Sequence, residues 1–218
     1  MAVSAESVPR RYTYPDLATF PDDHLRREII DGELVVNAAP VTRHQKAAMA
    51  ISVALFNYSK TSGGTALFAP YDVVFAPDNV VEPDVLFVRK DHLDRLGPKY
   101  LDGPPDLVVE ISSPSTRRLE LVRKRELYQR FGVPEYWYVD LELDRVEVYA
   151  LEERGYPAPA IKYAGETLEP AGLPGLSLPV TEALGTDGDR TQGSGAFSGP
   201  SNLSETVDEH LSATDFGE

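Results

Sequence analysis

Two carboxylates sit where carboxylates are expensive. Asp84 lies in Val81-Glu-Pro-Asp-Val-Leu-Phe-Val88, directly after a proline and before an apolar run, and Glu110 in the apolar, largely β-branched Leu107-Val-Val-Glu-Ile111, as in buried strands. An ionised carboxylate there is costly unless paired, hydrogen-bonded or bound to a metal ion. For either acid alone, a buried ion pair is the simpler reading. Two of them on consecutive core strands, 26 residues apart, favour a metal site. Hard oxygen donors suit Mg²⁺ or Mn²⁺. The chain has no cysteine, which excludes thiolate zinc sites, a disulfide framework and a thiol nucleophile. A third group joins the pair: Leu121, Lys124, Tyr128 and Phe131 fall on one helical stripe that is otherwise apolar or aromatic. Lys124 then points at the strands, unless it snorkels to water along its own stem.

The elements that must position these groups are legible in outline. Glu28-Ile-Ile-Asp-Gly-Glu-Leu-Val-Val36 reads as a β-hairpin turning on Asp31-Gly32. Thr42 is placed to cap a helix over about 43–60, with Ala47, Ile51, Leu55 and Tyr58 on one stripe and Gly63-Gly64 ending it. Strands are expected at 67–75, 81–88 and 106–112. A second helix, capped by Ser115 or Thr116, should cover 117–131 and stop at Gly132. Strands at 136–141 and 145–151 follow, with shorter β segments within 158–178. The order is that of a mixed α/β sheet with flanking helices and an N-terminal β-hairpin.

With Glu28-Ile-Ile-Asp-Gly-Glu-Leu, His44, Val81-Glu-Pro-Asp84, Pro105-Asp-Leu-Val-Val-Glu-Ile-Ser-Ser-Pro-Ser-Thr116, Lys124 with Tyr128, and Gly132-Val-Pro-Glu-Tyr-Trp-Tyr-Val-Asp140 in this order, the chain resembles a known family. It is similar to the Uma-type restriction-endonuclease-like proteins of the PD-(D/E)XK nuclease superfamily, over about 14–184. The resemblance implies a restriction-endonuclease-like fold and a Mg²⁺- or Mn²⁺-dependent endonuclease acting on DNA. One departure stands out. The superfamily's usual strand lysine, two residues after the acid, is replaced by Ser112, and the resemblance moves that role to Lys124.

Under this reading Asp84 and Glu110 hold the metal and lower the pKa of a bound water. The backbone carbonyl of Ile111 is a further candidate ligand. Lys124 orients the water and offsets charge on the phosphate. The resemblance puts His44 at the edge of the site, although a histidine in a first helical turn is often only an exposed polar residue. Glu33 is expected either to bond His44 or a metal water, or to pair with a surface arginine. Tyr128 is read as packing, with a substrate contact as its alternative, and Glu28 as structural. A catalytically silent nucleic-acid- or protein-binding module on the same fold is the alternative function. The aromatic run Tyr136, Trp137 and Tyr138 offers either core or the interface of a homodimer.

Charge narrows the partners. The chain has 218 residues and a net charge of −14, so adhesion to DNA through a globally basic surface is excluded. Residues 117–130 run against this trend, with Arg117, Arg118, Arg123, Lys124, Arg125 and Arg130 against two acids. That run is either the nucleic-acid-binding surface or a solvated helix with Glu/Arg pairs. Residues 186–218 carry −6 and are rich in Gly, Ser and Thr, the composition of a disordered tail; residues 1–12 also read as flexible. The nuclease-like domain is thus expected over 13–185. No membrane-spanning run and no secretory signal are visible, so a soluble, cytoplasmic protein is expected.

Overall fold

A computed structural model of the chain describes residues 10–21, 23, 25–37, 41–113 and 119–186. Arg117, Arg118, the Ser115/Thr116 cap, residues 1–9 and residues 187–218 lie outside the described residues. A short helix, α1 (Tyr14–Leu17), is capped reciprocally by Thr13 and Asp16. The hairpin follows as β1 (Arg26–Ile30) and β2 (Glu33–Asn37), paired antiparallel. Asp31 and Gly32 turn it with φ of 52° and 75°, the left-handed pair that matches strand twist. Helix α2 (Thr42–Ser62) buries His44, Ala47, Ile51 and Leu55 along one stripe and stops at Gly63, whose φ is 75°. Thr42 is the first helical residue rather than the cap; Val41 holds that position without a side-chain bond.

Two expected strands are each split by a proline. The 67–75 stretch becomes β3 (Thr65–Phe68) and β4 (Asp72–Ala76), separated by a cis Ala69–Pro70 bond. The 81–88 stretch becomes β5 (Asn79–Val81) and β6 (Val85–Val88), separated by Glu82, Pro83 and Asp84. Proline donates nothing to a ladder, so these are the points where the chain can leave one sheet for another. After β7 (Tyr100–Asp102) comes β8 (Leu107–Ile111). A π-helical turn over Leu119–Lys124 runs into α3 (Arg125–Arg130). β9 (Glu135–Asp140), β10 (Arg145–Ala150), β11 (Ala160–Tyr163), β12 (Thr167–Leu168), β13 (Leu178–Pro179) and α4 (Val180–Ala183) complete the described chain.

The strands form a five-stranded sheet in the order β2-β1-β5-β4-β7, a six-stranded sheet in the order β11-β10-β9-β8-β6-β3, and the small β12-β13 pair. In the larger sheet only β8 and β9 run parallel, joined through the α3 crossover. One core packs α2 and α4 on one face of this sheet and includes Trp137 and Val139. The other includes Leu127 and Tyr128 of α3 with Val108, Tyr136 and Tyr138, and reaches Ile30, Val73 and Val81 of the five-stranded sheet. Alternate residues of β9 therefore serve opposite faces. Tyr136, Trp137 and Tyr138 are all fully buried, so they are core and present no dimer interface. Among the described residues no helix is long and apolar enough to cross a membrane.

Candidate active site

The prolines and the register bring the carboxylates together. Asp84 ends the passage between the sheets, one step beyond the Val85–Val109 pair of β6 and β8, and so stands opposite Glu110. Ile111 donates its amide to Asp84 Oδ2 at 2.8 Å, and His44 Nε2 lies 3.1 Å from the same oxygen. Glu110 projects from the face of β8 that meets α3. There Lys124 Nζ lies 2.9 Å from Glu110 Oε1 and 2.8 Å from Glu28 Oε1. Tyr128 donates its hydroxyl to the same Glu110 oxygen. Glu28 also accepts the Glu82 amide at 2.8 Å and the Asn37 side-chain amide at 2.7 Å. Arg26, two residues earlier on the same face of β1, reaches Asp84 Oδ1 at 2.7 Å and Glu82 Oε1 at 3.1 Å, and bonds the Glu82 carbonyl. Its Nη2 is 3.9 Å from Glu110 Oε2, a buried oxygen with no hydrogen-bond partner among the described residues.

Four carboxylates thus surround two permanent cations, and the electrostatics show the surplus. Burial, partly offset by Lys124 and reinforced by the Asp84 and Glu28 charges, pushes Glu110 up to about 7. Burial, partly offset by Arg26, likewise pushes Glu82 up to about 7. For Asp84 the burial penalty is outweighed by the His44 bond and the Arg26 charge, which hold it well below the usual carboxylate range. Glu28 is also lowered, because Lys124 and Arg26 overcome its burial. Burial and the Glu110 charge raise the Tyr128 hydroxyl well above its ordinary value, which keeps it a donor. Four carboxyl groups against two cations, with two of the four holding protons up to about 7, together with hard oxygen donors and an unbonded Glu110 oxygen, are what a divalent cation would relieve. The donor set fits Mg²⁺ or Mn²⁺. Fully assembled cages are another matter: among the described residues no cluster of three or more His, Asp or Glu is already disposed around one point.

A cavity of about 570 Å³ opens beside the cluster, lined by Leu25, Ala48, Met49 and Phe68 and by Arg26, His44, Glu82 and Asp84. Glu110 and Lys124, 0% and 1% exposed, do not line it.

The model of the Uma2 family, described as "Putative restriction endonuclease", matches residues 11–181. The chain belongs to the Uma2 family. A solved structure described as a "putative nuclease belonging to DUF820", from Anabaena variabilis ATCC 29413, superimposes with a TM-score of 0.68. It is 16% identical, and the match covers 79% of this chain and 97% of that one. At that identity the likeness establishes the fold, which is restriction-endonuclease-like and mixed α/β. No curated protein matches the chain.

Within this Uma2 fold the residues singled out in the sequence divide into two groups. Asp84, Glu110, Lys124, His44 and Tyr128 meet in one cluster, and Lys124 does not snorkel. Ile111 joins through its amide. Glu33 stays outside: its largely exposed carboxylate pairs with Arg123 at 2.9 Å, not with His44. Arg123 also bonds the Ile30 carbonyl, while Arg125 lies over the Tyr149 ring at 5.8 Å. Sequence reading left Glu28 as structural and missed Arg26 and Glu82 altogether. Glu28 did carry a signal, since it shares a strand face with Ile30 and so had to be either buried or at an edge.

Proposed function

We propose that this Uma2-family chain is a divalent-metal-dependent endonuclease that hydrolyses phosphodiester bonds in DNA. The observation that supports it best is the gathering of Asp84, Glu110 and Lys124, from three separate segments, into one buried network in which carboxylates outnumber cations. Asp84 and Glu110 would hold Mg²⁺ or Mn²⁺. A bound divalent cation there supplies charge neutralisation for the phosphorus oxygens and a more acidic water. Glu28 and Glu110 fix the Lys124 ammonium by two hydrogen bonds; a cation so held suits charge stabilisation at the phosphate better than proton abstraction. Tyr128 keeps the Glu110 carboxylate in one rotamer through its hydroxyl. His44 does the same for Asp84 from the cavity side, where it can also meet substrate. Arg123, Arg125, Arg117 and Arg118 are proposed to attract the DNA backbone.

The test is cleavage of supercoiled plasmid and single-stranded DNA with Mg²⁺ or Mn²⁺, comparing wild type with Glu110→Gln. Wild type should cut and the variant should not; equal activity in both would mean contamination and would sink the enzyme reading. A second reading, the non-cutting binding module, draws on Asp84, whose two oxygens are already engaged by Arg26, His44 and Ile111. It predicts DNA or protein binding without cleavage, unchanged by Glu110→Gln.

A further inference from the structure

One side chain reaches towards both candidate metal ligands. Arg26 Nη1 lies 2.7 Å from Asp84 Oδ1, and Nη2 is 3.9 Å from Glu110 Oε2. The guanidinium therefore spans the two carboxylates that would share a cation. It also separates the cavity from the buried acid: Arg26, Glu82 and Asp84 line the cavity, whereas Glu110 does not. The side chain has two sets of partners. Besides Asp84 it already holds the Glu82 carboxylate at 3.1 Å and the Glu82 carbonyl, so it can release Asp84 and stay anchored; it is 23% exposed, and Glu82, 15% exposed, lines the cavity.

We infer that Arg26 is a resident cation that holds the place of the divalent metal, closes the site in its absence, and must release Asp84 and move towards the cavity, keeping Glu82, when the metal enters. The inference rests on the proposed reading of Asp84 and Glu110 as the cation site. Its physics is simple competition. One positive charge with fixed N–H donors stabilises the empty acid pair, but it repels a divalent ion that would take the Asp84 oxygen it now occupies. Metal affinity is then lowered by the work of moving the guanidinium. Once moved, Arg26 remains beside the cavity, where its fork can take a phosphate oxygen of the substrate. Glu82 is the positioning partner in the displaced state, its surplus charge neutralised by the same guanidinium.

The experiment measures metal binding directly, by calorimetric titration of Mg²⁺ and Mn²⁺ into wild type, Arg26→Gln and Arg26→Lys. Arg26→Gln should be less stable than wild type without metal, yet bind the ion at least about tenfold more tightly and show the larger metal-induced rise in melting temperature. Arg26→Lys keeps the charge with a poorer fit and should fall between them. Equal or weaker metal binding in both variants overturns the inference. Should Arg26→Gln fail to fold without metal, a wild-type measurement decides. The Arg26 side-chain N–H resonance, identified by its loss in Arg26→Lys, should shift on Mg²⁺ saturation; an unmoved resonance refutes displacement. If no form of the protein binds either ion, the cation site itself is wrong and the inference falls with it. If all forms bind equally and cut DNA, the site stands and only the role of Arg26 falls.

Discussion

Lys124 shows how much of this site is held by charge. Its ammonium, 1% exposed, is shared by Glu28 and Glu110, so removing it strands two carboxylates in the interior. Lys124→Met should therefore cost about 3–5 kcal/mol by denaturant titration, the usual penalty for breaking a buried pair from one side. Glu28→Gln in the same background should return part of that loss, because it removes one stranded charge. A double-mutant cycle measures the coupling, and additive losses would show that the two groups do not share a proton or a bond. Turnover should fall on the order of a hundredfold with Lys124→Met, in line with loss of one preorganised stabilising group. Arg123→Met is the contrast. That side chain is about a third exposed and pairs with exposed Glu33, so stability should change by less than about 1 kcal/mol, and cutting should persist.

At the scale of elements, the parallel β8–β9 pair is the organising feature, because a parallel pair demands a crossover and the crossover here carries Lys124 and Tyr128. The first residue of β9 adds a titrating contact remote from the cluster. Glu135, 7% exposed, accepts the Trp137 indole N–H at 2.6 Å. Burial raises its pKa above the ordinary value, more than the Trp137 and Ala171 bonds lower it. The folded state thus holds this proton more tightly than the unfolded chain. Between the ordinary and the raised value Glu135 costs stability progressively as pH rises, and the cost is complete above the raised value. Glu135→Gln keeps an acceptor for Trp137 and has no such cost. The variant's stability gain over wild type should be absent well below the ordinary carboxylate range, grow as pH rises through that window and level off above the raised value. A gain independent of pH would mean that the carboxylate does not titrate against burial.

Over the whole molecule, charge sets the terms of any encounter with DNA. Residues 187–218 share the −6 charge read for 186–218, and the net charge of −14 opposes any approach to phosphates. A chain ending at Thr186 should melt within a few degrees of the full chain, since its removed segment is too polar to contribute much burial. It should also bind duplex DNA more tightly at low ionic strength. That advantage should fade as salt screens it over a Debye length of about 8 Å at 0.15 M. A large drop in melting temperature would show that the segment packs on the domain, and unchanged DNA affinity at low salt would show that its charge lies too far away to matter.

Local chemistry accounts for what the sequence alone determines. Asp31-Gly32 and Gly63 each need a left-handed backbone, and the stripes of α2 and of the 119–130 helix repeat at helical spacing, so turns, helix limits and inward faces follow from neighbours in the chain. The cost of a carboxylate among apolar β-branched residues likewise marked Asp84 and Glu110, because burial follows from composition. Sheet membership does not. Strands expected to run unbroken over 67–75 and 81–88 are each split at a proline, and only the folded chain decided that each break is a passage between sheets, which puts Asp84 opposite Glu110. Which cation meets which acid is equally nonlocal. Arg26 and Arg123 are both arginines near polar neighbours in sequence, yet one lies across the buried acids and the other pairs with surface Glu33. Charge pairing acts through space over a few ångströms, and that distance is set by tertiary packing.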